Sequence, residues 1–361
     1  MTGVTEDIFR LYPEKYISEG PHGNLQITNI NNQTRINAGI FSLLSFGDIE
    51  KKLRDVSGQR KKSPVPIEIL TCNQSAYRKV VDVSYLQSLP ENRNAVFQVA
   101  SNFNGVESVS ETSFPTDPNY LTDYIYDKTQ GPIASIGAGG AAITRLYPFY
   151  KKGTSSSQWI QTETRQVNFL EKLWDYFPIM NGYVILNHFS KPLPDNEDLL
   201  GKTLIGYHKD VEVVFAEQQA RKYRKINDPN QLIDQVFCAA MNMAQGHSGR
   251  SNKSFPDSYQ KAYFLLQAAY QGSYLVALEN SRKKLFLTMI GGGVFGNPHE
   301  LIYEAIIDAH LKFSQHPASN LEKVSLVLYS GQPSASFLQG LEKHGIPYTL
   351  LVDNNPQKSK L

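Results

Sequence analysis

Cysteine is scarce in this sequence, and metal-binding patterns are missing from it. Cys72 and Cys238 are the two cysteines among 361 residues. They have no Cys-x-x-Cys spacing, so a disulfide framework is not expected and a reducing compartment is favoured. The histidines are scattered without the spacing of zinc ligands. We therefore predict neither a structural disulfide nor a metal site.

The sequence also lacks a strong charge of either sign and long apolar runs. Its 36 basic and 34 acidic residues leave a net charge of +2, which argues against a dedicated nucleic-acid binder. No apolar run is long enough to span a membrane, and the N-terminus lacks a signal-peptide pattern. These features predict a globular protein of the cytoplasm, with no membrane span and no nucleic-acid partner.

What the sequence does contain is an alternation of apolar strand-like runs and helical repeats. The strand-like runs lie at 65–70, 94–100, 183–187, 285–290, 324–329 and 348–352, and the helical ones at 77–89, 168–177, 231–244, 258–279 and 335–344. This alternation predicts an α/β fold with a mostly parallel sheet and helices on both faces. We expect one domain at 65–355 with an insertion around 190–230. Residues 1–64 would be an extension packed on it, and 356–361 a disordered tail.

Residues 285–313 carry the most specific local pattern. A strand-like run enters Gly291, Gly292 and Gly293, and a helical repeat follows Asn297 and Pro298. Asn is a good helix N-cap, and Pro is well tolerated at the first helical position. Glycines that let backbone N–H groups approach a ligand, next to a helix N-terminus, can cradle phosphates. A tight strand-to-helix turn with nothing bound is the alternative.

Two further segments hold candidate site residues. The strand-like run at 94–100 leads into Ser101 and Asn102, which places polar groups at a carboxyl end where open α/β sheets bind ligands. An asparagine that only caps the turn is the alternative there. The stretch 123–145 is rich in small residues. It contains Gly131, Gly137, Gly139 and Gly140, with Asp127 and Gln130 just before them.

The order of these features resembles the macrodomain family. Ala262-Tyr263 in a helical run is followed by a buried strand, the loop Gly293-Val294-Phe295-Gly296-Asn297-Pro298, a long helix and the strand at 324–329. The similarity is good over 258–343. It implies a macrodomain-like three-layer α/β/α sandwich with a mixed, mostly parallel sheet. It also implies that the loop, residues 291–296, holds the diphosphate of ADP-ribose, with Phe295 over the distal ribose.

The same resemblance implies roles for other residues. Asn102 corresponds to an asparagine that contacts the distal ribose, with Asn104 as the alternative. The first glycine loop of the family would close over this ribose, and adenine would stack on Tyr329 or Phe337. That first loop would comprise Gln130, Gly131, Gly137 and Gly139. The ligand is ADP-ribose, and no cofactor is implied.

The resemblance leaves the catalytic acid open. Hydrolytic macrodomains carry an acid in or after the first glycine run, and poly(ADP-ribose) glycohydrolases carry a Gln-Glu-Glu after theirs. Both patterns are absent here, since Ala141-Ala142-Ile143 follows the glycines. A carboxylate that activates water or shields positive charge at ribose C1″ must come from elsewhere. Asp127 is our first candidate, and Asp123 and Glu107 are the others.

The sequence thus predicts a protein that binds ADP-ribose and hydrolyses it from a modified protein side chain. It is similar to macrodomain effectors of intracellular bacteria, one of which acts on ubiquitin. An ADP-ribosylated protein is therefore the expected partner, with ubiquitin as a candidate and a host cytosol as a second possible location. A non-catalytic reader of ADP-ribose is the first alternative function. A nucleotide or sugar-nucleotide hydrolase is the second.

Overall fold

An eleven-stranded mixed sheet forms the centre of the molecule. The computed structural model describes residues 1–59, 63–74, 79–194, 198–219 and 222–360. The sheet has the strand order β1-β2-β3-β8-β11-β5-β12-β13-β4-β14-β15. Its strands are β1 (Ile17–Glu19), β2 (Leu25–Thr28), β3 (Arg35–Ser45), β4 (Ile67–Thr71), β5 (Val96–Ala100), β8 (Leu204–Glu212), β11 (Leu232–Cys238), β12 (Lys284–Thr288), β13 (Lys323–Val327), β14 (Tyr348–Val352) and β15 (Asn355–Lys360). Two small hairpins pair β6 (Ile179–Met180) with β7 (Tyr183–Val184), and β9 (Phe215–Gln219) with β10 (Lys222–Lys225).

The middle of the sheet is parallel and its flanks are antiparallel. The six strands β11, β5, β12, β13, β4 and β14 run in one direction. On one side β8, β3, β2 and β1 are added antiparallel, and on the other side β15 is. Parallel strands need covering on both faces, because their crossover connections place helices there. The predicted fold class, an α/β sandwich with a mixed and mostly parallel sheet, is confirmed.

Helices cover the two faces of this sheet. They are α1 (Glu6–Leu11), α2 (Phe46–Arg54), α3 (Val83–Ser88), α4 (Gln130–Gly137), α5 (Gly139–Leu146), α6 (Asp198–Gly201), α7 (Gly246–Lys253), α8 (Ser258–Glu279), α9 (His299–Phe313) and α10 (Ala335–Lys343). Buried side chains of α2, α8, α9 and α10 form one apolar cluster with the sheet. Side chains of α3 and α4 belong to a cluster on the other face, and α5 packs with α1 and the first strands.

The N-terminal residues join the sheet through β3. The second half of this strand pairs with β8, from Ile40 opposite Lys209 to Ser45 opposite Leu204. β8 lies in the stretch where an insertion is predicted, and it separates β3 from β11. At the other end, 355–360 pair with β14 where a disordered tail is predicted. The proposed domain boundaries themselves stay a prediction.

Two predicted helices are wrong. Residues 231–244 hold β11 and then an irregular buried segment; β11 is buried on both faces, and a continuous apolar run does not distinguish such a strand from a buried helix. Residues 168–177 contain only a 3-10 turn at Glu171–Leu173. The helices predicted at 258–279 and 335–344 are confirmed as α8 and α10.

The connections of β5 and β12 leave these two neighbouring strands in opposite directions. We call the region at the carboxyl ends of β5 and β12 the crevice. From β5 the chain passes through α4 and α5 to β8 and then β11 on one side, whereas from β12 it passes through α9 to β13 on the other side. Neighbouring strands whose connections leave in opposite directions define the point where open α/β sheets bind ligands. Direct pairing of β5 with β12 extends only to Phe97 opposite Phe286. Beyond it, the Gln98 side chain bridges the strands and accepts a hydrogen bond from the Thr288 N–H at 3.1 Å.

Candidate functional site

The loop after β12, residues 289–298, contains glycines at positions that other residues would not fit. Gly291 and Gly296 have φ angles of 72° and 59°, in the left-handed region that glycine tolerates. A Cβ atom on Gly291 would lie 2.6 Å from that of Ala240, and one on Gly296 would lie 3.1 Å from that of Ala244. The loop therefore rests closely on the segment that follows β11.

The outer part of this loop presents unpaired backbone N–H groups. Gly292 donates to Met289 O and Gly296 donates to Gly293 O, each at 3.0 Å. Among the hydrogen bonds of the described residues, none satisfies the N–H of Gly293, Val294 or Phe295. A Cβ atom on Gly293 would meet open space, and Val294 is 73% exposed. Consecutive free N–H groups on an open loop can bind an anion.

The helix after this loop begins one residue later than predicted. α9 starts at His299 with Pro298 as its N-cap, so Asn297 is not the cap. The Asn297 amide instead donates to Met241 O at 2.9 Å and to Gly291 O at 3.2 Å. Asn297 thereby fastens both ends of the glycine loop to the neighbouring segment, which keeps the loop in one shape.

The loop after β5 places Asn102 at the crevice. The Asn102 N–H donates to Val106 O at 2.8 Å, and Gly105 N–H donates to Asn102 O at 3.0 Å. The residue is 4% exposed, and its amide lies beside the Tyr183 hydroxyl, but its Nδ2 makes no hydrogen bond of regular geometry. A buried amide without a partner is costly, which makes a ligand acceptor at this place favourable.

Asn104, the predicted alternative, has a different role. Its Nδ2 donates to Gln166 Oε1 at 3.0 Å, and its Oδ1 accepts from the Val106 N–H at 3.3 Å. The residue is fully buried. Since both ends of its amide are already paired within the protein, Asn104 holds the loop together and Asn102 is the better ligand contact.

Glu107 follows the same loop, and the residue is half-buried although one of its carboxyl oxygens is fully enclosed. Its backbone N–H donates to the Tyr124 hydroxyl at 2.8 Å, and its Oε2 is buried without a partner. Burial raises its pKa well above the ordinary glutamate value, and the nearby charge of Asp127 raises it further. The Arg145 guanidinium acts in the opposite direction. Glu107 therefore stays protonated to a higher pH than an ordinary glutamate does.

The position of Glu107 depends on the absence of a side chain at Gly131. A Cβ atom there would lie 2.5 Å from Glu107 Oε1 and 2.6 Å from Ala100 O. The first turn of α4 thus packs directly against the end of β5, and the carboxyl of Glu107 lies over this turn. Gly131 is therefore required for close packing inside the protein, and not for the ligand loop that the sequence predicts.

Arg145 is a buried residue that holds the loop after β5 through hydrogen bonds. It is 1% exposed, its Nε donates to Gly105 O at 3.0 Å, and its Nη2 donates to Ser135 Oγ at 2.9 Å. The guanidinium also lies 3.8 Å from the Phe237 ring centroid. Burial lowers the pKa of Arg145 to about 9. Its bond to Gly105 fixes the turn between Asn102 and Glu107.

Tyr183 connects the two loops of the site. Its hydroxyl donates to Ser108 O at 3.2 Å and lies beside the Asn102 side chain. Its ring centroid is 5.8 Å from that of Phe295 in the glycine loop. The sequence analysis did not single out Tyr183, Arg145 or Tyr124. The Asn181-Gly182 turn before Tyr183 is a hairpin signal, but no local pattern indicates where that hairpin docks.

The other predicted acids lie near Glu107 but are less enclosed. Asp127 is half-buried and its Oδ1 accepts from the Thr129 N–H at 2.7 Å. Asp123 is half-buried in the 3-10 helix Thr122–Tyr126. Gln130 Oε1 accepts from the Val83 N–H at 3.0 Å, so Gln130 joins the starts of α3 and α4.

The predicted first glycine loop does not form. Residues 130–146 fold into α4 and α5, in which Gly137 and Gly139 are buried. A Cβ atom on Gly137 would collide with the buried Gln87 side chain, and one on Gly139 would lie 2.5 Å from Met1 Sδ. These small residues permit close helix packing. This interior position leaves them unsuited to contact a ligand.

The two candidates for adenine stacking also differ. Phe337 is 1% exposed and stacks on Tyr303 at 4.2 Å between ring centroids, so it belongs to the core and cannot stack on adenine. Tyr329 is half-buried just after β13, at the same edge of the sheet as the crevice. Tyr329 stays the predicted stacking residue.

In the part of the chain that the structure describes, no group of three or more His, Cys, Asp or Glu side chains is placed to hold a metal ion. None of the helices described combines the length and apolar character that crossing a membrane requires.

No family model matches this chain, and no curated protein does. Solved structures with a similar fold include a poly(ADP-ribose) glycohydrolase from Thermomonospora curvata. It is 13% identical over 93% of this chain and 96% of that one, with a TM-score of 0.47. The enzyme from Deinococcus radiodurans in complex with ADP-ribose is 14% identical over 84% and 95%, with a TM-score of 0.48. A likeness at this level does not establish an activity for this chain.

Proposed function

We propose that this protein binds ADP-ribose and hydrolyses the glycosidic bond that joins it to a protein side chain. The observation that carries the proposal is the enclosed carboxyl of Glu107. Its Oε2 has no hydrogen-bond partner, and Glu107 and the Asn102 side chain both lie near Tyr183. Buried, strongly perturbed carboxyl groups beside unpaired polar atoms are characteristic of catalytic sites.

Binding would use both loops of the crevice. The free N–H groups of Gly293, Val294 and Phe295 suit the diphosphate, because they supply several donors without a bulky side chain. The amide of Asn102 suits a ribose hydroxyl, and Tyr183 lies between the two loops. The bound sugar would then have its C1″ atom directed toward Glu107.

The chemistry follows from the raised pKa of Glu107. A protonated carboxyl can donate its proton to the leaving oxygen or nitrogen as the bond from C1″ breaks. Water then forms the new bond to C1″, and its proton passes to a second carboxylate, for which Asp127 is the candidate. Two carboxyl groups, one protonated and one ionised, are the usual arrangement for hydrolysis at an anomeric carbon.

The proposed substrate is a protein that carries ADP-ribose on a side chain. Ubiquitin is the candidate protein, because the resemblance to bacterial effectors indicates it. A reader module would use the same loops for binding, with Glu107 contributing only a hydrogen bond. An enzyme and a reader would both bind ADP-ribose, but only the enzyme would cleave it from the modified protein.

The test measures binding and release separately. Calorimetry should show that ADP-ribose binds more tightly than ADP or AMP, and that EDTA leaves its affinity unchanged. Incubation with proteins carrying arginine-, glutamate- or serine-linked ADP-ribose should release free ADP-ribose. Binding without any release would favour the reader. A requirement for Mg²⁺, or equal affinity for ADP and ADP-ribose, would favour a nucleotide hydrolase.

A further inference from the structure

Exposed apolar side chains surround the crevice on four separate segments. Val109, Tyr126, Met180 and Val294 are 53%, 56%, 55% and 73% exposed. We call these four the apolar rim. Each lies within three residues, along the chain, of a residue described above for the site, such as Glu107, Asp127, Tyr183 or Gly293. Apolar side chains that recur around one opening are a feature of surfaces that bind another macromolecule.

The contacts of Tyr183 show that three of these segments meet. Tyr183 donates to the carbonyl of Ser108, the residue before Val109. Met180 is the cross-strand partner of Tyr183 in the β6–β7 hairpin. The ring of Phe295, next to Val294, lies 5.8 Å from the Tyr183 ring centroid.

The fourth segment joins through Tyr124. Its hydroxyl accepts from the Glu107 N–H, and Tyr126 lies two residues further along the same 3-10 helix. The apolar rim therefore belongs to one surface around the entrance of the crevice.

The charges near the apolar rim distinguish between two macromolecular substrates. Residues 105–130 contain a single basic residue, Lys128, beside several carboxylates. These carboxylates are Glu111, Asp117, Asp123 and Asp127. A polymer of ADP-ribose carries two phosphates in every unit, so units outside the crevice would be repelled by this acidic segment. A folded protein with an apolar patch beside its modified side chain would instead bury the rim favourably.

We propose that the apolar rim is the docking surface for a folded protein that carries a single ADP-ribose unit. The inference rests on the proposed function of the crevice and adds the substrate class. The crevice holds the ADP-ribose unit, and the rim contacts the protein surface around the point of attachment. Substrate recognition is then divided between the polar crevice, which binds ADP-ribose, and the apolar rim, which binds the protein.

The test uses three substrates and two variants. Ubiquitin with one arginine-linked ADP-ribose is the protein probe, a short peptide with the same linkage is the small probe, and a poly(ADP-ribosyl)ated protein is the polymer probe. The double variant V109S/M180S removes two rim side chains that take no part in the crevice. V56S is the matched control, because Val56 is also exposed but follows α2, near Gly58 and its neighbour Pro317 at the opposite end of the sheet.

The wild type should release ADP-ribose from modified ubiquitin at least about tenfold more efficiently than from the peptide or the polymer, judged by kcat/KM. V109S/M180S should lose about tenfold on ubiquitin alone, the size of effect expected from two interface side chains. V56S should match the wild type. Equal rates of V109S/M180S and wild type on ubiquitin, or a preference for polymer, would overturn the docking surface. If the wild type does not bind ADP-ribose, the proposed function itself is overturned.

Discussion

Two glycine-rich stretches of this chain have similar composition and opposite structural roles. Residues 291–296 form an open loop whose outer N–H groups are unpaired, and a side chain at Gly293 would meet open space. Residues 131–140 form two buried helices in which a side chain would collide with its neighbours. The first stretch leaves backbone donors open to the surface, whereas the second allows the protein to pack closely.

The difference shows that glycine content alone does not identify a ligand loop. What separates the stretches is their surroundings. The loop at 291–296 lies at the end of β12 beside the crevice, while the helices at 131–140 cover the sheet and make room for Glu107. We therefore expect substitutions on the open side to change affinity, and substitutions on the packed side to change stability or turnover.

The largest expected effect is at Glu107, which the packed stretch holds in place. Glu107→Gln keeps the size of the side chain but removes the proton that it would donate. Turnover should fall by about 10²–10⁴-fold while the ADP-ribose affinity stays close to that of the wild type. Release of ADP-ribose from the arginine-linked peptide and calorimetry on the same protein measure the two quantities. Asp123→Asn is the matched control, and full turnover in Glu107→Gln would remove Glu107 from the mechanism.

The second effect tests the open side of the comparison. Gly293→Glu places a carboxylate where the diphosphate is proposed to lie, so ADP-ribose affinity should drop by about 100-fold through repulsion and blocked access. The melting temperature should stay unchanged, since the Cβ atom meets no other atom within 4 Å. Gly293→Ala is the matched control, because its Cβ atom also meets open space but the substitution adds no charge. Unchanged affinity in folded Gly293→Glu would contradict the anion-binding loop.

The third effect tests the packed side. Gly137→Val would force the buried Gln87 side chain to move, so the free energy of unfolding should fall by about 1–3 kcal/mol. Urea denaturation measures the loss. The folded fraction should keep the ADP-ribose affinity of the wild type. A weaker affinity without a loss of stability would mean that this stretch contacts the ligand after all.

The smallest effect concerns pH. Turnover needs protonated Glu107, so it should decline as the pH rises through the raised pKa of that group. Asp127→Asn removes a negative charge that favours the protonated form, and the decline should then occur at lower pH. An unshifted pH profile would indicate that Asp127 does not act on Glu107.

The same group links pH to stability. The unfolded chain releases the proton of Glu107 near the ordinary glutamate pKa, whereas the folded chain keeps it to a higher pH. Stability should therefore fall as the pH rises between these two values, and the fall should be smaller in Glu107→Gln. Melting temperatures of both proteins at pH 5 and pH 8 provide the comparison.

Local patterns in the sequence predicted the parts of the site that are local in the structure. The strand, glycine loop and helix at 285–313 follow one another directly, and short-range signals sufficed to recognise them. The contact of Glu107 with Gly131 joins residues far apart in the chain, so no spacing indicated it. β11 was mistaken for a helix because a strand buried on both faces lacks the alternation that marks a half-buried one.

The Gln98 side chain between β5 and β12 has a consequence for how a ligand would associate. Its Oε1 accepts from Thr288, and its Nε2 donates to Ser273 Oγ at 3.1 Å and Ala269 O at 3.4 Å. One amide thus ties two strands and α8 together at the base of the crevice. The gap is built into the core and cannot open or close without breaking these bonds. A ligand would meet a rigid, preorganised receptor, so little ordering entropy would be lost and most of the interaction energy would appear as affinity.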